Sequence, residues 1–140
     1  MADASRLHQG SIVWISNAPD PQGRNPKPQP RAFVIVSATP DIRPGNTIVG
    51  VAVTSTFREP INDPAMVAMR WNAHGTTETG FRRKCFAKVD WALTIPIRSG
   101  EHGVEFDGEY HGTFVRNHEL EKILVAIRAV AKARPGSDAT

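Results

Sequence analysis

Short apolar runs fill the first two-thirds of the chain. Runs rich in β-branched and aromatic residues predict strands at residues 11–16, 31–38, 47–55, 65–71 and 84–90, a short edge piece at 93–97 and a last strand at 112–115. The weak alternation of residues 100–112 is typical of a hairpin. Strands this short and closely spaced favour a small β-barrel or curled sheet.

The C-terminal part of the chain changes to a helical pattern. Its apolar positions recur every three or four residues and predict one buried stripe, formed by Leu120, Ile123, Leu124, Ile127 and Val130. Asn117 is a good N-cap, and Pro135-Gly136 ends the pattern. We therefore expect an amphipathic helix packed against the strands.

Between the first two strands lies a segment in which proline dominates. Residues 17–30 contain five prolines, which lack the N–H that a helix or central strand requires. A connection this long is usually functional or disordered. Arg24 and Lys27 would be available to phosphates there, although an inert connection is the alternative.

Composition sets the class of protein. A chain of 140 residues, 40% of them hydrophobic, is sufficient for one domain, which we place at residues 10–134 with flexible tails at 1–9 and 135–140. No apolar run approaches the roughly 20 residues of a membrane span. Cys85 is the only cysteine, so no internal disulfide can form, and a cytoplasmic location is expected. The five histidines show no metal-ligating spacing, and we expect neither a metal nor a cofactor.

The net charge of +3 hides a segregation along the chain. Residues 20–98 hold eleven Lys and Arg against six Asp and Glu, whereas residues 99–121 hold one Arg against six acids. Such a distribution can give one face a positive potential that attracts polyanions. Loops of either sign that are merely solvated remain the alternative.

Candidate chemistry lies at the strand ends. Arg31 begins one apolar strand, and Thr54 and Ser55 end the next, so a guanidinium and two hydroxyls are suited to an anion such as a phosphodiester. Lys88 and Asp90 are two apart on a predicted strand and therefore point to one face. They suit acid–base chemistry, or else form a surface salt bridge worth at most about 1 kcal/mol.

A short basic run precedes the 84–90 strand. Arg82, Arg83 and Lys84 would follow an RNA backbone, or would be exposed charge at a strand edge.

In order and spacing these motifs resemble the MazF/PemK family of toxin endoribonucleases over residues 10 to about 131. The resemblance implies a small SH3-like barrel of five to seven strands with a C-terminal helix, cleavage of single-stranded RNA without metal, a homodimer and a cognate antitoxin. It also implies catalytic roles: Arg31 stabilises the phosphorane, Thr54 donates to the phosphate, Asp90 is the base and Lys88 the acid or a further cation.

Two alignments are possible at the position of the family's arginine. The family has Arg-Pro where this chain has Arg31-Ala32, and a second alignment places Gln29-Pro30 there, with a neutral amide in place of the cation. Two other functions therefore stay in view. One is a non-catalytic interaction toxin of the gyrase-inhibitor type on the same fold, and the other is an RNA-binding module with a decayed active site.

Overall fold

The computed structural model describes residues 2–18, 29–101 and 103–133. Arg24 and Lys27 lie outside the described residues, as do residues 134–140. The strands are β1 (Ala2–Asp3), β2 (Ile12–Ala18), β3 (Gln29–Ile35), β4 (Thr47–Thr54), β5 (Met66–Ala68), β6 (Phe86–Pro96), β7 (Arg98–Gly100) and β8 (Gly103–Phe106), and the helix is α1 (Asn117–Ala133).

Two antiparallel sheets form a mainly β fold with one helix. The larger sheet has the order β2-β3-β4-β6-β5 and the smaller has the order β1-β8-β7. The backbone of Trp14 on β2 is joined to that of Glu109 by N–H to carbonyl bonds of 2.8 and 2.7 Å. These bonds attach the open edge of the larger sheet to the segment that follows β8, which curls the molecule into the predicted barrel-like shape.

Both faces of the larger sheet are buried. One face packs with α1 around a cluster that includes Val34, Val51 and Ile123. The opposite face packs with the smaller sheet around Phe33, Ile95 and Phe106. Burial on two sides explains why the β3 and β4 sequences are continuous apolar runs rather than alternating ones.

The strand β6 differs most from the sequence-based prediction. The predicted strand 84–90 and the predicted edge piece 93–97 form one strand of 11 residues. Val51 on β4 is paired with Ala92, but the next residue, Ala52, is paired with Lys88, so three residues of β6 have no partner on β4. This bulge interrupts the apolar pattern, and the sequence therefore suggested two separate elements.

Two other predictions also differ from the structure. Residues 1–9 were expected to be frayed, but Ala2–Asp3 pairs with β8, and Ala4 and Leu7 are buried. The predicted strand at 112–115 is reduced to an isolated bridge between Phe114 and Ser11. The weakly alternating segment does contain a hairpin, formed by β7 and β8.

Candidate functional site

A cleft opens where β3 and β4 diverge. Their ladder covers Ile35 to Phe33 on β3 and ends at the pair of Phe33 with Ala52. Beyond it, Gln29, Arg31 and Ala32 stay paired with β2 across a register shift at Pro30, and residues 53–54 stay paired with β6. The two strand ends therefore form opposite walls of a cleft of about 440 Å³.

Arg31 lies on the β3 wall of this cleft, opposite the hydroxyl residues on β4. Its Nε atom is buried and has no hydrogen-bond partner among the described residues. A buried donor without a partner costs free energy, and this cost is removed when an acceptor binds. A phosphate oxygen is such an acceptor.

Thr54 and Ser55 lie on the β4 wall. The Thr54 hydroxyl donates to the Thr56 carbonyl at 3.2 Å and accepts from the Thr56 N–H at 3.1 Å, which turns the chain at the end of the strand. The donation is long, so this hydroxyl can rotate to donate to a ligand instead. Ser55 is exposed.

The basic run is held at the mouth of the cleft by buried residues on either side. Phe81 and Cys85 are buried, and the three residues between them are exposed. Backbone bonds from the Asn72 N–H to the Phe81 carbonyl and from the Met69 N–H to the Cys85 carbonyl, of 3.0 and 3.1 Å, fix both ends of the segment. Arg82 and Arg83 line the cleft.

Lys84 points elsewhere. It does not line the cleft, and it forms an ion pair with Glu59. Its ammonium also lies 5.6 Å from the centre of the Phe57 ring. The prediction that Lys84 contacts RNA therefore has less support than the predictions for Arg82 and Arg83.

The cleft has one sign of charge. Three arginines line it, Arg31, Arg82 and Arg83, and no Asp or Glu of the described residues does. Guanidinium groups bind phosphate oxygens through two parallel N–H donors. The half-buried rings of Trp14 and Trp91 also line the cleft, so an anionic ligand that carries a flat apolar group would fit it.

Lys88 and Asp90 lie outside this cleft. Lys88 lines a second cavity of about 220 Å³, which adjoins the cleft because Thr56 and Trp91 line both. Lys88 Nζ lies 2.8 Å from Asp90 Oδ1 and 2.9 Å from Asp63 Oδ2, and its side chain is only 11% exposed. Lys88 and Asp90 do share a face, as their spacing predicts, but Asp90 lines neither cavity.

The two carboxylates keep Lys88 charged. Burial lowers the pKa of Lys88, but the hydrogen bonds to Asp90 and Asp63 outweigh burial, and the net shift raises the pKa. The pKa of Asp63 is lowered by the Ala65 N–H and by Lys88. A lysine with a raised pKa is a poor proton donor near neutral pH. Of the two roles suggested for Lys88, the geometry favours the cation over the acid.

Several residues of these cavities are absent from the sequence-based set. Asp63, Phe57 and Trp91 line the second cavity, and Trp91 lines the cleft as well. Gln29, the alternative occupant of the arginine position, lines the cleft together with Arg31. Trp91 follows Asp90 in the β6 bulge, where neither helical nor strand periodicity applies. The one available signal was the Asn62-Asp63-Pro64 turn sequence, which does not indicate a partner.

Cys85 also lines the cleft, as a buried thiol. Burial raises its pKa to about 12, as expected for a residue of the core. Within the described ranges, no group of three or more His, Cys, Asp or Glu side chains is placed to hold a metal ion. No helix in the described part of the chain has the length and hydropathy of a membrane span.

Solved structures with the same architecture supply the comparison. An endoribonuclease from a mycobacterial species superposes with a TM-score of 0.55 and 18% identity, over 92% of this chain and 95% of that one. MazF from Deinococcus radiodurans superposes with a TM-score of 0.59 and 13% identity, over 90% and 96%. A MazE–MazF structure from the same organism gives 0.54 and 13%, over 89% and 93%.

Sequence comparisons do not extend this likeness. No protein-family model matches the chain, and no curated protein matches it significantly. The structural matches nevertheless cover nearly the whole of both chains. The chain therefore has the fold of the MazF endoribonucleases, with a cationic cleft between the diverging ends of β3 and β4.

Proposed function

We propose that the chain is the endoribonuclease toxin of a toxin–antitoxin pair and cleaves single-stranded RNA in the cleft without metal. The observation that carries the proposal is the cleft itself, which is lined by three arginines and by no Asp or Glu of the described residues. The fold shared with MazF endoribonucleases supports the same conclusion. Single strands also present unstacked bases to half-buried rings such as Trp14 and Trp91.

The proposed reaction is transesterification at phosphorus. The 2′-hydroxyl oxygen attacks the adjacent phosphorus, and the bond from phosphorus to the 5′-oxygen breaks, leaving a 2′,3′-cyclic phosphate and a 5′-hydroxyl. Arg31 stabilises the charge that accumulates on the phosphoryl oxygens, and Thr54 donates a hydrogen bond to one of them. Arg82 and Arg83 hold the neighbouring phosphates.

The proton acceptor in this scheme is Asp90, and a water molecule supplies the proton that the departing 5′-oxygen takes up. Both of its carboxylate oxygens accept from Lys88 Nζ, at 2.8 and 3.0 Å. Because Asp90 lines neither cavity, the scheme requires it to turn toward the bound strand and to exchange one of these bonds for the 2′-hydroxyl before it can act as a base. Lys88 then serves as the cation that orients Asp90 and balances its charge.

The proposed partners follow from the same surface. A MazE–MazF complex is among the structures that share this fold, which supports a cognate antitoxin that covers the cleft. An acidic antitoxin segment would meet the same guanidinium groups as RNA and would exclude it. We propose a homodimer as the active form, in line with the family resemblance.

The test uses a mixed-sequence single-stranded RNA incubated with the purified chain in excess EDTA. We expect a limited set of cuts with 2′,3′-cyclic phosphate ends. Arg31→Ala should lower the cleavage rate by about a hundredfold or more, because one charged group at the reacting phosphate is lost.

Gln29→Ala is the matched control, since Gln29 lines the same cleft on the same strand. It should reduce cleavage only slightly if Arg31 holds the arginine position, and severely if Gln29 does. RNA that is neither cut nor bound by the wild-type chain would overturn the proposal.

RNA that is bound but not cut would favour the second candidate, an RNA-binding module with a decayed site. The specific observation in its favour is that Lys88 engages both oxygens of Asp90, the proposed base.

A further inference from the structure

The Lys88 ammonium is held between two carboxylates. Two bonds go to Asp90, at 2.8 and 3.0 Å, and one goes to Asp63 Oδ2 at 2.9 Å. The ammonium lies 5.2 Å from the centre of the Trp91 ring, which covers it from another side. In this arrangement the side of Lys88 that faces Asp63 is occupied in the free chain.

The two carboxylates are not equivalent. Asp90 belongs to β6, the strand that carries Lys88, whereas Asp63 belongs to the connection between β4 and β5. The Asp63 side chain is 44% exposed and that of Asp90 is 31% exposed. Asp63 is therefore the outer ligand of Lys88, and the one that a solvent-borne anion can replace.

Asp63 is also held independently of Lys88. Its Oδ1 accepts the Ala65 N–H at 2.9 Å, so the carboxylate stays near the second cavity even without the ion pair. Its other oxygen, Oδ2, presents to Lys88 what a phosphate would present, an anionic oxygen at hydrogen-bond distance.

We propose that Asp63 occupies, in the free chain, the position of an RNA phosphate on Lys88, and that bound RNA displaces it. The proposal rests on the proposed function and adds a second phosphate site to it. The second cavity adjoins the cleft along Thr56 and Trp91, so a strand whose reacting phosphate contacts Arg31 can place a neighbouring phosphate at Lys88.

Competition from Asp63 at Lys88 affects which ligands the chain selects. A ligand must break the Asp63–Lys88 pair before it gains the Lys88 contact, so a mononucleotide gains little from this site. A longer strand is already held by the cleft, and its second phosphate competes at high local concentration. The chain would thus favour RNA strands over the mononucleotides and free phosphate around them.

The test measures binding without cleavage, using a short single-stranded RNA in which every 2′-oxygen is methylated. Asp63→Asn keeps the side-chain oxygen that accepts the Ala65 N–H and removes the charge that competes at Lys88. Because an exposed ion pair contributes modestly, we expect binding to tighten about two- to fivefold in fluorescence anisotropy titrations.

Glu59→Gln is the matched control. Glu59 lies in the same connection and forms an ion pair with Lys84, which lines neither cavity. This variant changes the net charge by the same amount, so its effect on binding should be less than half that of Asp63→Asn.

A Lys88→Gln background supplies the second control. There, Asp63→Asn should tighten binding no more than Glu59→Gln does, because the competed cation is gone. Thermal unfolding of each variant shows whether it is folded. If Asp63→Asn alone is destabilised, the comparison of Lys88→Gln with and without Asp63→Asn decides whether Asp63 competes at Lys88.

The outcomes separate the two proposals. Equal effects of Asp63→Asn and Glu59→Gln on a chain that binds RNA would overturn the second phosphate site and leave the proposed function intact. A wild-type chain that binds no RNA would overturn both.

Discussion

The reactivity of a residue in the cleft depends on its surroundings, and Cys85 is the clearest case. It lines the cleft, yet its side chain is buried and its pKa is raised to about 12. The thiolate is the reactive form, so at pH 8 only about one thiol in ten thousand can react. Proximity to the proposed substrate therefore does not make Cys85 a nucleophile.

We expect native Cys85 to resist iodoacetamide at pH 8 and to be modified promptly in urea. The reaction of the folded chain should speed up as pH rises toward 12, because the raised pKa delays thiolate formation. Ser55→Cys in a Cys85→Ala background is the control, since residue 55 is exposed in the same cleft. Mass spectrometry gives both rates, and equal rates would contradict the expectation.

The candidate residues that sequence could predict are those fixed by local pattern. Arg31, Thr54 and Ser55 stand at strand ends, and Arg82 and Arg83 form a contiguous run, so their positions follow from neighbouring residues, and the structure brings all five to one cleft. The partnership of Asp63 with Lys88 joins residues 25 apart across a connection without periodicity. No local rule predicts such a contact.

Among the elements, the helix was easy to predict and β6 was not. The helix begins at Asn117 and packs on β5 and β6. Ile123 of the predicted stripe is buried in the core cluster, and Leu120, Ile127 and Val130 pack against it. Ala126, which the prediction left out, is buried there too, whereas Leu124 is only half-buried and outside the cluster. The bulge in β6 depends on tertiary pairing: its three extra residues are seen only when the register on β4 is known. That is why one strand was interpreted as two.

The helix stripe gives a stability prediction. Ile123 is fully buried between α1 and the sheet, so Ile123→Ala should lower the free energy of unfolding by about 2–5 kcal/mol. Val125 lies two residues further on and is 51% exposed, so Val125→Ala should change the free energy of unfolding by less than about 0.5 kcal/mol. Urea unfolding followed by circular dichroism measures both. Similar losses would mean that the stripe is not the packed face.

On the scale of the whole molecule, the charge segregation along the sequence is partly retained, although Asp90 lies on the larger sheet and Arg98, which pairs with Asp107, lies on the smaller one. The cations of the cleft belong to the larger sheet and the loop beside it. Four of the acids in the negative segment, Glu101, Glu105, Asp107 and Glu109, lie on or beside β8 in the smaller sheet. An RNA strand would therefore be attracted to one side of the molecule and repelled from the other.

This polarity predicts the salt dependence of RNA binding. Each phosphate contact on a single strand contributes about 0.7 to the slope of log affinity against log salt, so Arg82→Gln with Arg83→Gln should reduce the slope by about 1.4. Arg43→Gln with Arg128→Gln removes the same charge from exposed positions outside the cleft and should change the slope far less. Titrations of the methylated RNA at several salt concentrations give the slopes. Equal slopes for the two double variants would show that binding depends on net charge alone.

The divergence of β3 and β4 has a mechanical consequence. Each wall of the cleft is stiffened by its own outer neighbour, β2 on one side and β6 on the other, while the ladder between the walls ends at Phe33 and Ala52. The two halves can swing apart about that last pair without breaking a rung of either ladder. We therefore expect the width of the gap to adjust to nucleotides of different bulk more readily than the barrel behind it changes shape.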